Sequence, residues 1–466
     1  MKKEDFKGKK VTVMGIGLHG GGIATIRFFS SLGAKVIATD MKTEKELKAS
    51  LEKLKGLKNI TFVFGQHRME DFTNVDLVVK GPAVPWNSKH IQAARKLKVP
   101  VEMDSSIFFQ LCKLPIIGVT GTKGKTTTAT LIAEILRGAG ENVFTAGIGQ
   151  KPVLDLLEKI EKVKKGVVVF ELSSWRLSAL GRAGLSPHIA VITNILEDHL
   201  NYYGSMEKYI ADKKYVFSSQ KKDDFGVLNY DNEITRSLAD GAESKKIFFT
   251  ANTNIDSDKD YIGVKEGKIF CKDGSGERVI CDLADIRLRG DHNLQNVLAV
   301  TGATLVYGIA PGKICEAIQN FKGVPHRLEL VRELGGVKYM NDTTATVPDA
   351  AIAGINSFSE KLVLIAGGAD KNLDFKKLAE VMGAKVRRAV LLKGEATEKI
   401  KNELKKIGRE KIIDSEFSNM EKAVIRAKNL AGPGDVVLLS PGAASFGLFL
   451  NEFDRGDKFR EAVGKL

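Results

Sequence analysis

Long apolar runs are missing from this 466-residue chain. None approaches the ~18 residues that a helix needs to cross a bilayer, so no membrane partner is expected. The basic start Met1-Lys2-Lys3 leads into an apolar run, Val11 to Ile16, that is too short and too rich in glycine for a signal peptide. A cytoplasmic protein is the expectation. Cysteine is scarce: Cys112, Cys271, Cys281 and Cys315 have no metal-ligand spacing. Isolated cysteines suit a reducing cytosol and read as buried apolar residues. Whole-domain repeats and low-complexity segments are absent. A stripe of one charge is absent too. Lys and Arg exceed Asp and Glu by 71 − 57 = 14, which points to anionic partners. Yet lysines alternate with acids, as in Lys42-Thr43-Glu44-Lys45-Glu46-Leu47-Lys48, the pattern of a solvated helix face. That favours small anions over nucleic acid.

What is present is ordinary globular composition, 43% apolar and 27% charged, which excludes a disordered or fibrous chain. The length suggests two to four domains. Strand and helix patterns alternate from the start. Val11–Met14 reads as a buried strand, followed by Gly15-Ile16-Gly17-Leu18-His19-Gly20 and an apolar-periodic helix stopped at Gly33. Lys35–Thr39 is the next strand, closed by Asp40. Leu77–Val79 is a further strand, and residues 1–113 form one doubly wound α/β domain. A second domain, 114–323, opens on the strand Ile116–Val119 and a helix from about Thr126. Val167–Phe170 and Ile189–Ile192 are its further strands. Residues 240–285 look like a small antiparallel excursion, and a helix with Asn293 at its N-cap follows. In the third domain, 324–466, Leu362–Ala366 and Val436–Leu439 are strands ending in Gly-rich loops. The fold class is α/β in three domains: Rossmann-like, central P-loop ATPase on a parallel sheet, and Rossmann-like again.

The strongest local signal is Gly118-Val119-Thr120-Gly121-Thr122-Lys123-Gly124-Lys125-Thr126-Thr127. A strand, a glycine loop, Lys-Thr and a helix are the working parts of a phosphate cradle. In that pattern Lys125 reaches terminal phosphates and the Thr126 hydroxyl can ligate Mg²⁺. The loop is tighter than usual, with two residues between Gly121 and Gly124. The amino-terminal Gly15-x-Gly17-x-x-Gly20 with Asp40 suits a diphosphate at a helix start, with Asp40 on a ribose or base. A nicotinamide dinucleotide enzyme also fits it, though the second nucleotide loop argues against that. Glu171 follows one strand and His199 another, beside acids, where both can meet a metal or phosphate.

Six motifs in order carry a resemblance. They are Gly121–Thr127, Glu171-Leu172-Ser173-Ser174, Asn194 through Asp198-His199, Gly290-Asp291-His292-Asn293 with Asn296, Pro325-His326-Arg327, and Asn341-Asp342-Thr343-Thr344-Ala345-Thr346. Together they resemble the Mur ligases of peptidoglycan synthesis over nearly the whole chain. Leu439 to Phe446 and Arg455-Gly456 point within that family to a member that adds glutamate. The resemblance implies an ATP-dependent amide ligase acting through an acyl phosphate. The implied substrates are UDP-N-acetylmuramoyl-L-alanine, glutamate and ATP, with two Mg²⁺ sites and a monomeric chain. It implies that Gly121, Thr122, Lys123, Gly124, Lys125, Thr126, Thr127, Asn293, Asn296, Arg327 and Asp342 meet ATP. Thr126, Glu171, His199 and Lys213 would hold metal, Lys213 as its carbamate. Lys125, His199 and Lys213 would be catalytic. Gly17, Leu18, His19 and Asp40 would meet the UDP-sugar. Thr346, Lys371 and Ser445 would meet the acceptor.

Departures from the family pattern fall near the substrates. Thr344 replaces a common lysine, Gly147 an asparagine and His19 a threonine, while Glu452 stands where an aromatic is expected. A variant adding L-glutamate or another acceptor, and a folylpolyglutamate-synthase-like ligase, are the alternative readings.

Overall fold

The computed structural model describes every residue except His19, Gln150, Ala242, Thr253, Asn254, Asp256, Ser257, Asp258, Arg287 and Arg289, and the side chains of Asn201 and Asp291. The expected role of His19 therefore lies outside the described residues. The chain divides into two compact units, residues 1–287 with 291–320, and residues 288–290 with 321–466.

The first unit contains two sheets. Strands β1 (Lys10–Met14), β2 (Lys35–Asp40), β3 (Ile60–Phe64), β4 (Leu77–Lys80) and β5 (Val101–Glu102) pair in parallel in the order β3-β2-β1-β4-β5. Val11, Val13 and Met14 are buried, which places β1 at the centre. Strand order reverses between β1 and β4, the position where open α/β sheets leave a ligand crevice at their carboxyl ends.

The second sheet has nine strands: β6 (Ile116–Thr120), β7 (Val143–Ala146), β8 (Val167–Glu171), β9 (Ile189–Ile192), β10 (Phe225–Asn229), β11 (Lys245–Phe249), β12 (Tyr261–Lys265), β13 (Lys268–Asp273) and β14 (Gly276–Asp282). Their order is β14-β13-β12-β11-β10-β9-β6-β8-β7. All five residues of β6 are buried, as a parallel strand covered on both faces requires. The expected antiparallel excursion is confined to β12–β14, because β11 pairs in parallel with β10 and extends the main sheet. One apolar core joins the two sheets, running from Val11 and Phe29 to Phe170 and Ile192. Trp86 donates from Nε1 to Ser178 Oγ at 2.8 Å across the same junction.

One expectation is corrected. The helix expected to be capped by Asn293 starts earlier, at Asp291, and runs to Tyr307. Asn293 thus lies in its first turn, accepting from Asn296 Nδ2 at 3.2 Å, instead of preceding it.

The second unit is built on β15 (Glu329–Leu334), β16 (Val337–Asn341), β17 (Leu362–Ala366), β18 (Val386–Leu392), β19 (Ile413–Phe417) and β20 (Val436–Leu439), ordered β15-β16-β20-β17-β18-β19. Only the β15–β16 hairpin is antiparallel. The fully buried β17 and β20 lie side by side. Their Gly-rich ends therefore open on the same edge.

Candidate active site

The phosphate loop is shaped by two glycines that no other residue can replace. Gly121 has φ +147° and Gly124 φ +84°, and a Cβ on them would overlap Thr193 Oγ1 and Asn296 Oδ1 respectively. Gly124 caps the helix Lys125–Gly138 in the left-handed conformation, so the first N–H groups of that helix face the loop. The segment that follows β9, one of the two neighbours of β6, holds the loop. Thr122 N donates to Asn194 O at 2.8 Å, Lys123 N to Asn194 Oδ1 at 2.9 Å, and Thr193 Oγ1 to Lys123 O at 2.5 Å. Leu196 N donates to Thr122 Oγ1 at 2.9 Å, and that hydroxyl also meets Tyr209 OH at 3.1 Å. Thr126 is half-buried at the helix start, while Thr127 faces the core.

Three cationic or titratable groups gather here. Lys125 Nζ folds back onto the carbonyls of Gly121 and Thr122, both at 3.0 Å. Lys213, 1% exposed, donates from Nζ to Gly121 O at 2.8 Å and to Thr120 Oγ1 at 3.1 Å. Burial, and then the Lys125 charge, hold its amine well below the usual lysine range, against smaller pulls from Asp198 and Glu171. Lys213 and Tyr209 share one face of the helix Met206–Lys214 at i, i+4 spacing, and the amine sits 5.3 Å from that ring. His199 takes a left-handed backbone (φ 55°) before the helix Leu200–Tyr203 and packs against Trp175 at 5.3 Å. Burial lowers its pKa, Asp198 opposes this, and Lys125, Lys213 and Lys123 reinforce it. The net shift favours the neutral imidazole, the form that binds metal. Glu171 ends β8 in register with Val119 of β6.

The amino-terminal loop uses the same backbone plan without lysine. Gly20 caps the helix Gly21–Ser31 at φ +89°. Asp40, at the end of β2, accepts from Gly17 N at 3.0 Å and Lys42 N at 2.9 Å. Leu18 is exposed. Gly22 lies against the carbonyls of Gly15 and Ile16, where a Cβ would overlap both. Close helix–strand packing therefore explains that glycine.

In the second unit, an isolated bridge between Ala369 and Ala444 joins the loop of Lys371 to that of Ser445, with N···O distances of 3.0 and 3.1 Å. Lys371 is exposed and Ser445 buried. Asp370 beside Lys371 is held by Lys399 at 2.5 Å. Asp342 accepts from Ser440 Oγ at 2.8 Å and Leu328 N at 3.3 Å, and burial pushes its carboxyl up to about 7. Arg327 is exposed, and its charge acts on Asp342. Thr346 donates its N–H to Thr344 O at 2.9 Å. The fully buried Arg455 ties Thr343 to Ala443 O, so the Asp342–Thr346 turn and the Ser445 loop share one anchor.

Comparisons with known proteins cover almost the entire chain. Residues 9–102 match the model of the Mur ligase MurD-like N-terminal domain, 119–304 the Mur ligase middle domain, and 326–442 the Mur ligase glutamate ligase domain. A protein of Roseiflexus sp. strain RS-1 named UDP-N-acetylmuramoylalanine--D-glutamate ligase is 44% identical over 98% of both chains. Its namesake in Clostridioides difficile is 37% identical over 99% of this chain and 100% of that one. The chain belongs to the Mur ligase family. A crystal structure of the UDP-N-acetylmuramate-alanine ligase of Thermotoga maritima shares the fold, with TM-score 0.57 and 22% identity over 98% of this chain and 99% of that one. So does a pseudomurein peptide ligase of Methanothermus fervidus, at 0.54 and 18%, with the same coverage.

As a Mur ligase the protein is an ATP-dependent ligase that makes an amide bond. Its first unit brings together Gly121 to Thr127, Asn296, Glu171, His199 and Lys213. Three neighbours of that site were not assigned from the sequence: Thr193, Trp175 and Tyr209. Thr193 directly follows the buried strand β9, and Tyr209 precedes Lys213 by one helical turn. Gly147 has a steric reason, since a Cβ there would overlap Glu171 O. Among the described residues, no three His, Cys, Asp or Glu side chains converge as a metal cluster. Two of the available donors are oxygens of the kind that suit Mg²⁺, the carboxylate of Glu171 and the hydroxyl of Thr126; His199 adds an imidazole nitrogen. Lys213 fits only if its amine becomes an anion.

Proposed function

We propose that this chain joins D-glutamate to the terminal carboxylate of UDP-N-acetylmuramoyl-L-alanine in cytoplasmic peptidoglycan precursor synthesis. The observation that carries this reading is the full-length identity to relatives bearing that name. In the reaction a carboxylate oxygen attacks the γ-phosphorus of ATP and ADP leaves. The amine nitrogen of glutamate then attacks the acyl carbon, phosphate leaves, and the amine proton passes to a base. The first step brings polyanions together, and cations beside the loop offset their charge. Lys125, whose Nζ donates directly to the loop carbonyls of Gly121 and Thr122, supplies such a charge to the terminal phosphates.

Lys213 is the residue whose surroundings most need explaining. A buried amine with suppressed protonation keeps the lone pair that adds carbon dioxide. The resulting carbamate is an anion and would give Mg²⁺ an oxygen donor alongside Thr126, Glu171 and His199. Bound Mg²⁺ would neutralise developing phosphate charge. Asn293, Asn296, Arg327 and Asp342 are assigned to the nucleotide; for the last two this rests on the sequence motifs. Gly17, Leu18 and Asp40 are assigned to the UDP-sugar. Thr346, Lys371 and Ser445 are assigned to glutamate, whose two carboxylates need paired donors when desolvated. The assignment divides the chain into domains 1–113, 114–323 and 324–466 and treats it as a monomer.

The test is ADP release with UDP-N-acetylmuramoyl-L-alanine and a panel of D- and L-amino acids. D-glutamate should give the highest kcat/KM. A higher value with L-glutamate would overturn the stereochemical assignment, and turnover only with a neutral or diamino acid would overturn the acceptor class. Lys371→Ala should raise the glutamate KM strongly with little change for ATP.

A further inference from the structure

Two cysteines that the sequence presents as isolated meet in the folded chain. Cys281 and Cys315 are 34 positions apart, and their Sγ atoms lie 2.7 Å from one another. That is less than 1 Å longer than the ~2.05 Å of a disulfide bond, so closure needs little movement. The other two thiols have different neighbours. Cys112 Sγ faces Leu114 O at 3.6 Å, and Cys271 lies between Asp273 and Arg278 at 3.7 and 3.8 Å.

The elements that carry the pair give the contact a purpose. Cys281 is buried near the end of β14, the edge strand of the nine-stranded sheet, whose hydrogen-bonded neighbour is β13. Cys315 is half-buried on the helix Pro311–Asn320, which seats Ile314 and Ile318 in the core. That helix packs against both β14 and the phosphate-loop helix Lys125–Gly138. Just beyond β14, Asp285 Oδ2 accepts from Gln319 Nε2 of that helix at 2.7 Å. The stretch enclosed between Cys281 and Cys315 contains the helix Asp291–Tyr307, with Asn293 and Asn296 in it.

We propose that Cys281 and Cys315 are a dithiol site that closes reversibly to a disulfide with a low-molecular-weight disulfide such as oxidised glutathione, stapling the edge strand β14 to the helix Pro311–Asn320. The more exposed Cys315 thiolate attacks one glutathione sulfur, breaks that S–S bond and releases one glutathione thiolate. Cys281 then loses its proton to solvent, and its sulfur displaces the second glutathione from Cys315. The protein gives up two protons and two electrons, and the oxidant is reduced to two thiols. Burial first, and then Cys315 beside it, push the Cys281 thiol up to about 12. The charges of Asp285 and Asp282 add to this. Cys281 is therefore the resolving partner, and closure is slow beside that of an exposed reactive thiol.

The experiment uses the full chain, incubated with oxidised glutathione or with dithiothreitol and then quenched with a thiol-alkylating reagent. Oxidation should lower the four titratable thiols to two, and peptide mapping should find one cross-link, Cys281 to Cys315. Closing a loop of this length should raise the thermal midpoint by about 5 °C, and dithiothreitol should return it. Cys315→Ser should show neither the cross-link nor the rise. Cys281→Ser should behave alike; if that core change prevents folding, the half-exposed Cys315 variant decides. Four thiols remaining, glutathione adducts without a cross-link, or a cross-link involving Cys112 or Cys271 would overturn the site. A correct cross-link with an unchanged midpoint would overturn the staple.

Discussion

The two glycine loops of the first unit share a backbone and differ in nearly everything else. Each follows a central parallel strand, and each ends on a left-handed glycine that caps a helix, Gly20 at φ +89° and Gly124 at φ +84°. Around the amino-terminal loop the fixed charge is a carboxylate, Asp40, which spends both oxygens on Gly17 N and Lys42 N. Around the central loop the nearest groups are lysine amines: Lys125 carries its charge onto the loop carbonyls, and Lys213 is buried beneath them with its protonation disfavoured. A helix start and its free N–H groups select for anions in both places. Side chains delivered by other strands and helices decide what happens to the anion. On the proposed assignment the first loop holds a diphosphate and its ribose in place. On the same assignment the second lowers the barrier to moving a phosphoryl group.

Removing the charge that separates the two loops should produce the largest effect. Lys125→Ala should lower kcat for ADP release by ~10²-fold or more with near-UV circular dichroism unchanged. Turnover near the wild-type value would erase the distinction drawn between the loops. Lys213→Ala should come next, with a loss of similar order. Formate or acetate should restore part of that activity by replacing the missing carboxylate. Full activity without added acid would remove the carbamate from the account.

The corresponding change at the first loop should act on binding alone. Asp40→Asn should raise the KM for the UDP-sugar by about tenfold and leave kcat within about twofold, as loss of a charged hydrogen-bonding group from a ground-state contact does. Equal falls in kcat and kcat/KM would instead place Asp40 in the chemical step.

The smallest effect concerns the lysine that does lie near the first loop. Lys80 ends β4 but is 2% exposed, with Nζ 4.6 Å from the Trp86 ring and 3.3 Å from Gly81 O. Burial, then the Arg182 charge, lower its pKa to about 8. Between about 8 and 10.5 the unfolded chain binds a proton that the folded chain refuses, so stability rises with pH through that window. Below it both states are protonated and the penalty is constant, about 3 kcal/mol. Lys80→Met should flatten the rise in thermal midpoint across that window and stabilise the protein at neutral pH. A steeper rise in the variant would show that the amine is not what titrates.

The sequence revealed the second loop better than the first, for a physical reason. Gly121, Gly124, Lys125 and Thr126 are adjacent in the chain, so one short stretch carries the backbone turn and its charge together. Asp40 is separated from Gly17 by a whole helix, and the order of the elements alone suggested their meeting. Lys213 is further removed still. On its own helix it is one lysine next to another, and only the fold puts it under Gly121. The β15–β16 hairpin was not read at all, because β15 lies at a sheet edge and none of its six residues is fully buried. The cysteine pair was read as two isolated apolar residues, since a separation of 34 positions carries no local signal.

The central claim is that the second loop activates a carboxylate by phosphorylation, and isotope transfer tests it most directly. UDP-N-acetylmuramoyl-L-alanine labelled with ¹⁸O in its terminal carboxylate is turned over with ATP and D-glutamate, and the released phosphate is analysed by mass spectrometry. The acyl-phosphate route predicts one labelled oxygen in every phosphate formed together with amide product. Phosphate without label, released as ADP and amide accumulate, would contradict it.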